Sequence, residues 1–127
     1  MGVALKKWTA SSEVIAAAAV AKSASVTSDS IELDPQGYFD AVIQIKVIFG
    51  ASANGDATIG LLKSLDGTTF DTEQTETDTI TVSAGNTVYK SIKISGVPYC
   101  KVVVGNGNVA NEDITVSANV SRARWTE

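Results

Sequence analysis

Residues 61–70 read Leu61-Leu62-Lys63-Ser64-Leu65-Asp66-Gly67-Thr68-Thr69-Phe70. An Asp-Gly pair stands there between two runs that mix apolar and polar side chains. Gly67 accepts a positive φ without steric cost, and an Asp-Gly pair is a typical turn of a tight β-hairpin. The stretch therefore predicts two antiparallel strands joined at Asp66 and Gly67, with the return strand starting at Phe70.

The same alternation of apolar and polar residues recurs along most of the chain. Residues 39–49 and 114–120 each place their apolar side chains on one face of a strand. Turn-forming segments separate about eight such runs, and no helix-length crossover lies between them. We predict an all-β protein with a single antiparallel, jelly-roll-like β-sandwich of about eight strands. The residues expected to face its core are Phe39, Ile43, Ile45, Val47, Leu61, Ile92, Ile94, Val102, Val104, Ile114, Val116 and Val120.

The first 22 residues depart from this pattern. The run from Val14 to Ala21 is rich in alanine, the best helix former, and serines that could cap a helix precede it. A pairing strand is equally compatible with the run. Its short length and the charge at Lys22 argue against a secretory signal and against a bilayer span. We predict an N-terminal arm over residues 1–22, extended or partly helical and outside the sandwich, and a β-sandwich domain over residues 23–127.

The composition argues against several classes of function. The formal net charge of −4 disfavours a nucleic-acid partner, which requires a basic patch to neutralise phosphates. The chain has no histidine, so Ser-His-Asp triads, imidazole bases and histidine metal ligands are excluded. The single Cys100 has no internal disulfide partner and lies in an alternating run, where we interpret it as a buried core residue. We predict a protein that is not an enzyme, with no cofactor and no membrane partner.

Five carboxylates lie between residues 66 and 78, namely Asp66, Asp71, Glu73, Glu76 and Asp78. Oxygen-rich loops bind calcium in some proteins, but the spacing of an EF-hand is absent here. The threonines between the acidic residues are typical of a solvated loop. The sequence predicts no metal site and leaves open whether this loop binds calcium.

Basic and aromatic residues concentrate near both ends of the chain. They are Lys6, Lys7, Trp8, Arg122, Arg124 and Trp125. Trp and Arg are enriched at the energetic centres of protein interfaces. Two interpretations are equally favoured, one in which each Trp packs on an edge of the sandwich and one in which it contacts another subunit. We predict these six residues as an interaction site.

Three stretches, namely residues 60–70, residues 94–104 and the terminal strand ending at Trp125, resemble small β-sandwich structural proteins of tailed bacteriophage virions. Residues 60–70 are similar to a hairpin of the form Ser-x-Asp-Gly-Thr-x-Phe/Trp in those proteins. Residues 94–104 are similar to their Gly-Val-x-Tyr-x-Arg-Val strand, with Lys101 where Arg is commoner. The resemblance covers roughly Ser23 to Trp125 and implies a virion component of the capsid, neck, tail or fibre.

The function implied by the resemblance is that of a non-enzymatic structural protein, chiefly one that decorates or cements a capsid as an oligomer. The partners would be further copies of the chain and a major capsid or other virion protein, within virions assembled in the host cytoplasm. The alternative is a carbohydrate-binding or adhesion β-sandwich module. A coplanar exposed row of Trp8, Tyr38, Tyr89, Tyr99 and Trp125 would favour sugar binding, whereas burial at subunit contacts would favour assembly.

Overall fold

The structure, a computed structural model, describes residues 5–33, 37–107 and 110–126. These ranges contain ten β-strands and no helix, which confirms the predicted all-β class, and no helix that could span a membrane is found in them. The strands are β1 (Leu5–Trp8), β2 (Ser12–Val20), β3 (Ser25–Thr27), β4 (Ile31–Glu32), β5 (Asp40–Ile48), β6 (Ala57–Ser64), β7 (Thr75–Ile80), β8 (Thr87–Ser95), β9 (Tyr99–Asn106) and β10 (Ile114–Thr126).

The strands form two antiparallel sheets. Sheet A has the order β1-β10-β5-β8, with β2 also pairing with β10, and sheet B has the order β3-β9-β6-β7, with β4 also pairing with β9. Taking β1 with β2, and β3 with β4, as one interrupted strand each gives eight strands. The first then pairs with the eighth, the second with the seventh, the third with the sixth and the fourth with the fifth. This nested pairing is that of a jelly roll, and the predicted β-sandwich is confirmed.

The core lies between the two sheets and contains most of the residues predicted for it. The confirmed core residues are Ile43, Ile45, Val47, Leu61, Ile94, Val102, Val104, Ile114, Val116 and Val120. Ile92 is half-buried because β8 is the edge strand of sheet A. The prediction for Phe39 is wrong. Its half-buried ring stacks on Trp125 at the end of sheet A, with ring centroids 5.2 Å apart, instead of lying between the sheets.

Cys100 is fully buried on β9, as its place in the alternating pattern predicted. Burial raises the pKa of its thiol to about 12, because the charged thiolate would lose its hydration there. The thiol therefore stays protonated at neutral pH and contributes to packing.

The segment predicted as an arm forms edge strands of sheet A over residues 5–20. Val14, Ile15 and Val20 of β2 are buried in the core. This is the pairing-strand interpretation of the alanine-rich run, and neither a helix nor a detached arm is present in these residues. The free edge of β10 supplies hydrogen-bond partners, and such tertiary context overrides the modest helix propensity of alanine. The division of the chain into separate units over residues 1–22 and 23–127 stays a prediction.

The Asp-Gly hairpin is present, but it is wider than predicted. β6 ends at Ser64, and Gly67 has a φ of 78°. Phe70 forms one isolated bridge to Ser64, and β7 begins only at Thr75. The prediction of a return strand from Phe70 is wrong, because the carboxylate of Asp66 binds backbone N–H groups two and three residues later and keeps the chain in a loop.

Each sheet edge carries a feature that hinders the addition of another strand. β2 has two register shifts against β10, and these bulges bring the consecutive residues Val14 and Ile15 to the core. On sheet B, β3 and β4 are short, and β7 carries exposed carboxylates. On β8, Lys90 reaches across to sheet B, where its Nζ lies 2.7 Å from Asp78 Oδ2 and donates to the carbonyl of Thr79 at 3.1 Å.

Candidate interaction surface at the paired chain ends

All six residues predicted as an interaction site lie on one two-stranded segment. β1 pairs with the end of β10, so that Lys6 is opposite Trp125, Lys7 is opposite Arg124 and Trp8 is opposite Ala123. We call β1 together with residues 122–126 the terminal ribbon. The sequence suggested the six residues by composition alone. The antiparallel pairing of β1 with β10 brings them together, although the partners Lys6 and Trp125 are 119 residues apart in the chain.

One face of the terminal ribbon points away from sheet B. Side chains alternate along β10 from the buried Val120, so Ala123 lies on the outer face of sheet A. Cross-strand partners share a face, which places Trp8, Lys6 and Trp125 there as well. Trp8 is 44% exposed and Trp125 is 61% exposed. Two large aromatic side chains are therefore presented to solvent on the same face.

The two tryptophans are held by neighbouring rings and charges. Trp125 stacks on Phe39 with an interplanar angle of 13°. The Nζ of Lys6 lies 5.0 Å from the ring centroid of Trp8 and 5.4 Å from that of Phe39, within the range of cation–π attraction. Lys6 is in turn fixed by Asp40, whose Oδ2 is 3.4 Å from its Nζ. The aromatic face is thus ordered before any partner binds.

Asp40 is the residue of this cluster that sequence reasoning missed. Its side chain is 9% exposed, and its Oδ2 also lies 3.6 Å from the Nζ of Lys93 on β8. The two ammonium groups compensate a carboxylate that would otherwise be costly to bury. The sequence around Asp40 does not indicate that its carboxylate pairs with two lysines, because Lys6 and Lys93 come from strands that are distant in sequence.

The other face of the terminal ribbon carries arginines. The guanidinium of Arg122 lies 4.5 Å from the ring centroid of Tyr38 and donates to the carbonyl of Glu32 at 3.0 Å. Arg124 lies 5.7 Å from the same ring and is exposed, as is its cross-strand partner Lys7. Within the described part of the chain, neither Arg124 nor Lys7 forms an ion pair.

An open cleft of about 600 Å³ lies beside the loop after β6. Its lining combines apolar Leu65 and Val97 with acidic Asp66 and Asp71. Leu65 is 85% exposed and is one of the residues that line this cleft. The cleft therefore offers an apolar surface with carboxylates beside it.

Asp66 shapes this cleft. Its Oδ1 accepts hydrogen bonds from the backbone N–H groups of Thr68 and Thr69, both at 2.8 Å, and from the hydroxyl of Ser64 at 3.0 Å. The bonds from Thr69, Thr68 and Ser64 lower the pKa of Asp66 below its ordinary value, because they stabilise the charged form. Asp66 therefore stays a carboxylate at neutral pH.

The other carboxylates of the acidic loop do not converge on one point. Glu76 pairs with Lys63 at 3.3 Å, and Asp78 pairs with Lys90 at 2.7 Å. Among the residues that the structure describes, no group of three or more Asp, Glu, Cys or His side chains is placed to hold a metal ion. The described side chains of residues 66–78 thus provide no candidate set of ligands for calcium.

Comparison with known proteins identifies the fold. No protein-family model matches this sequence, and no curated protein matches it. The PBSX exported protein XepA has a similar structure, with 15% identity and a TM-score of 0.56, and the match covers 99% of this chain and 38% of that chain. A subunit of disulfide-linked pili from Bacillus endospore appendages is similar at 11% identity and a TM-score of 0.50, with 96% and 92% covered. At these identities the likeness concerns the fold alone.

Proposed function

We propose that this protein is a non-enzymatic structural subunit of a virion, and that it decorates the capsid shell through the terminal ribbon. The observation that carries the proposal is the pairing of Lys6 with Trp125, which fixes two exposed tryptophans on one face of a rigid sheet. Its partners would be further copies of itself and a major capsid or other virion protein. Its location would be the virion, assembled in the host cytoplasm.

The geometry suits such a contact for a physical reason. Aromatic rings that are already stacked lose little conformational freedom on binding, so more of the burial energy is available for affinity. Tryptophan and arginine dominate interface energetics, and cations around them select an acidic partner. The lack of histidine and the protonated thiol of Cys100 agree with a chain of low chemical reactivity.

The structural neighbours support the proposal at the level of the fold. XepA is described as an exported protein of PBSX, and the second neighbour belongs to pili. A jelly roll that leaves no long unprotected edge suits a subunit that must stay soluble before it joins an assembly.

The test is the location of the protein on intact particles. Virions produced by the source of this chain are banded on a density gradient, and an antibody raised against the purified protein is used to probe the fractions and to label particles for electron microscopy. We expect the protein to band with the particles and the label to lie on their outer surface. Protein that stays at the top of the gradient would refute the proposal.

The carbohydrate-binding alternative is favoured by one observation, the two exposed tryptophans on one sheet face. The wider aromatic row that it requires is absent. Tyr89 is exposed on the same face, but it lies opposite Lys46, six residues along β5 from Asp40 and roughly 20 Å away. Tyr38 and Tyr99 are half-buried. Quenching or a shift of tryptophan fluorescence on titration with soluble polysaccharides, abolished in Trp8→Ala, would favour sugar binding.

A further inference from the structure

We propose that Asn54 is a site of spontaneous covalent modification, at which the folded chain converts its own asparagine to aspartate and isoaspartate. The reaction needs only water, so it is independent of the proposed structural function. It lies away from the terminal ribbon, because the loop of residues 49–56 follows the end of β5 that is remote from Asp40.

The chain contains two Asn-Gly pairs, Asn54-Gly55 and Asn106-Gly107. Glycine after asparagine favours the reaction, because no side chain hinders the attack of its backbone nitrogen on the preceding side-chain amide. Every other asparagine of the chain is followed by a larger residue. The two pairs are therefore a matched set, in which the same chemical group is placed in two different environments of the fold.

The modification consists of two balanced steps. In the first, the backbone nitrogen of Gly55 gives up its proton and bonds to Cγ of Asn54. The bond from Cγ to Nδ2 breaks, and Nδ2 takes up a proton and leaves as ammonia. This intramolecular attack closes a five-membered succinimide ring. In the second step, water adds to one of the two ring carbonyls and opens the ring, which gives aspartate by one route and isoaspartate by the other.

The fold activates the side-chain amide of Asn54. The residue is exposed, so water reaches it, and its Oδ1 accepts a hydrogen bond from the backbone N–H of Asn111 at 2.9 Å. Negative charge develops on this oxygen as Gly55 attacks, and a fixed N–H donor stabilises that charge as an oxyanion hole does. Nδ2 of Asn111 donates to the carbonyl of Ser52 at 2.8 Å, which holds the donor against this loop.

Packing also requires glycine at position 55. Gly55 is buried, and a Cβ atom on it would lie 2.9 Å from the Cα of Ala110, closer than such atoms approach in proteins. The fold therefore excludes the larger residues that would slow the reaction at this position.

Asn106 precedes a glycine as well, but its environment opposes the reaction. It is 5% exposed, and its Nδ2 donates to the carbonyls of Val20 at 3.1 Å and Glu112 at 2.9 Å. Among the described residues, none donates a hydrogen bond to its buried Oδ1. The leaving nitrogen is thus held in place, and the oxygen that gains charge is not stabilised. Folding should protect Asn106 and leave Asn54 reactive.

The experiment follows both sites in the full chain, folded and unfolded in guanidinium chloride, during incubation at neutral and mildly alkaline pH. Mass spectrometry of tryptic peptides detects the gain of one mass unit. Residues 47–63 form one such peptide, in which Asn54 is the only asparagine. In the folded chain, we expect Asn54 to react at least as fast as in guanidinium and about tenfold or more faster than Asn106. In guanidinium, the two sites should react at similar rates.

Two variants isolate the hydrogen bond that Asn111 donates to Asn54. Asn111→Pro removes the backbone N–H, whereas Asn111→Ala keeps it and removes only the side chain. We expect the proline variant to modify Asn54 about tenfold or more slowly than the alanine variant does. Circular dichroism checks that both variants fold. Asn54→Gln should abolish the mass change in the peptide of residues 47–63, because glutamine would have to close a larger ring.

Three results would each overturn the inference. They are slower modification of Asn54 in the folded chain than in guanidinium, equal rates at Asn54 and Asn106 in the folded chain, and equal rates in the two folded Asn111 variants. The comparison of folded with unfolded wild type needs no variant, so it decides the question even where Asn111→Pro does not fold. A chain that is absent from virions but is modified at Asn54 would refute only the proposed function.

Discussion

Asp66 accepts three hydrogen bonds through one carboxylate oxygen, and these bonds hold the loop between β6 and β7. Gly67 follows at a positive φ, and the ring of Tyr99 occupies the space that a side chain on Gly67 would need. The pair that signalled a turn in the sequence therefore serves a second purpose, since it also closes the loop over Tyr99.

Replacing Asp66 by Ala is expected to lower the melting temperature at pH 7. The pKa of Asp66 is depressed in the folded state, so its contribution is present above the unfolded pKa of about 3.9 and is lost as the pH falls through the folded pKa. The difference in melting temperature between wild type and variant should therefore shrink below about pH 4. Thermal unfolding followed by circular dichroism measures it, with Asp113→Ala as the control. A difference that is constant with pH would contradict the assignment.

Ile45→Asp is expected to prevent folding. Ile45 has no exposed surface, and an unpaired carboxylate there would lose its hydration without a partner, at a cost of more than about 4 kcal/mol. Ile48→Asp on the same strand is the matched control, because Ile48 is 41% exposed on the outer face of sheet A. The first variant should show no cooperative transition in urea, and the second should keep one. A soluble, cooperatively melting Ile45→Asp protein would show that the face assignment is wrong.

At the scale of the element, β1 and β2 contribute differently to the fold. All four residues of β1 are exposed, whereas β2 buries Val14, Ile15 and Val20. Burial of three such side chains contributes about 1.5–3 kcal/mol each, which together approaches the whole stability of a typical domain. Truncations that remove β1 alone, or β1 together with β2, can therefore distinguish the contributions of the two strands to the stability of the fold.

Deletion of residues 2–12 should leave the sandwich folded and weaken its association with copies or shell, because it removes β1 and the terminal ribbon's Trp8. Trp8→Ala should reproduce much of the loss. Deletion of residues 2–20 also removes β2 and should abolish cooperative unfolding. Circular dichroism and sedimentation of the three proteins test this. Unfolding of the shorter deletion would show that β1 is essential to the core, and unchanged association would show that β1 has no role in contacts.

Lys90 is expected to protect the edge at β8 more than it stabilises the fold. Its ion pair with Asp78 is partly exposed, and such pairs contribute at most about 1 kcal/mol. An inward-pointing lysine on an edge strand, by contrast, blocks the addition of another strand. Lys90→Val should change the unfolding free energy little and increase aggregation during incubation, followed by light scattering. Ser91→Val, at an exposed position on the outer face of β8, is the control, and equal aggregation of both would contradict this role.

At the scale of the whole molecule, the nested pairing of strands brings the first and last described residues together. Leu5 is the cross-strand partner of Thr126. The terminal ribbon and the end of β8 lie at the same end of sheet A, because Ala123 and Ser95 are both cross-strand partners of Asp40.

A circular permutant follows from this geometry. Linking the two ends of the chain by a short Gly-Ser segment and opening it between Thr72 and Glu73, in an exposed loop, should preserve the jelly roll. The melting temperature should stay within about 5 °C of the wild type, equivalent to about 1 kcal/mol. A permutant opened between Val102 and Val103, within β9, is the control and should fail to fold. Loss of folding in the first permutant would refute the paired-end topology.

The sequence by itself determined the strands with regular alternation, since a period of two in side-chain burial is a local property. It therefore placed β5, β10 and their core residues, and the turn at Asp66 and Gly67. It also indicated which six residues at the chain ends were unusual, because their composition is visible without any fold.

Only the tertiary structure decided how these pieces meet. The alanine-rich sequence of β2 does not alternate clearly between apolar and polar side chains, and two bulges interrupt the alternation of buried and exposed residues. Local propensity therefore favours a helix, and only the pairing with β10 makes this segment a strand. The pairing of Lys6 with Trp125 joins residues at opposite ends of the chain, and no local pattern encodes such a register. The same holds for Asp40, whose two lysines come from β1 and β8. The interaction surface exists because long-range strand order, which depends on the whole core, brings its residues together.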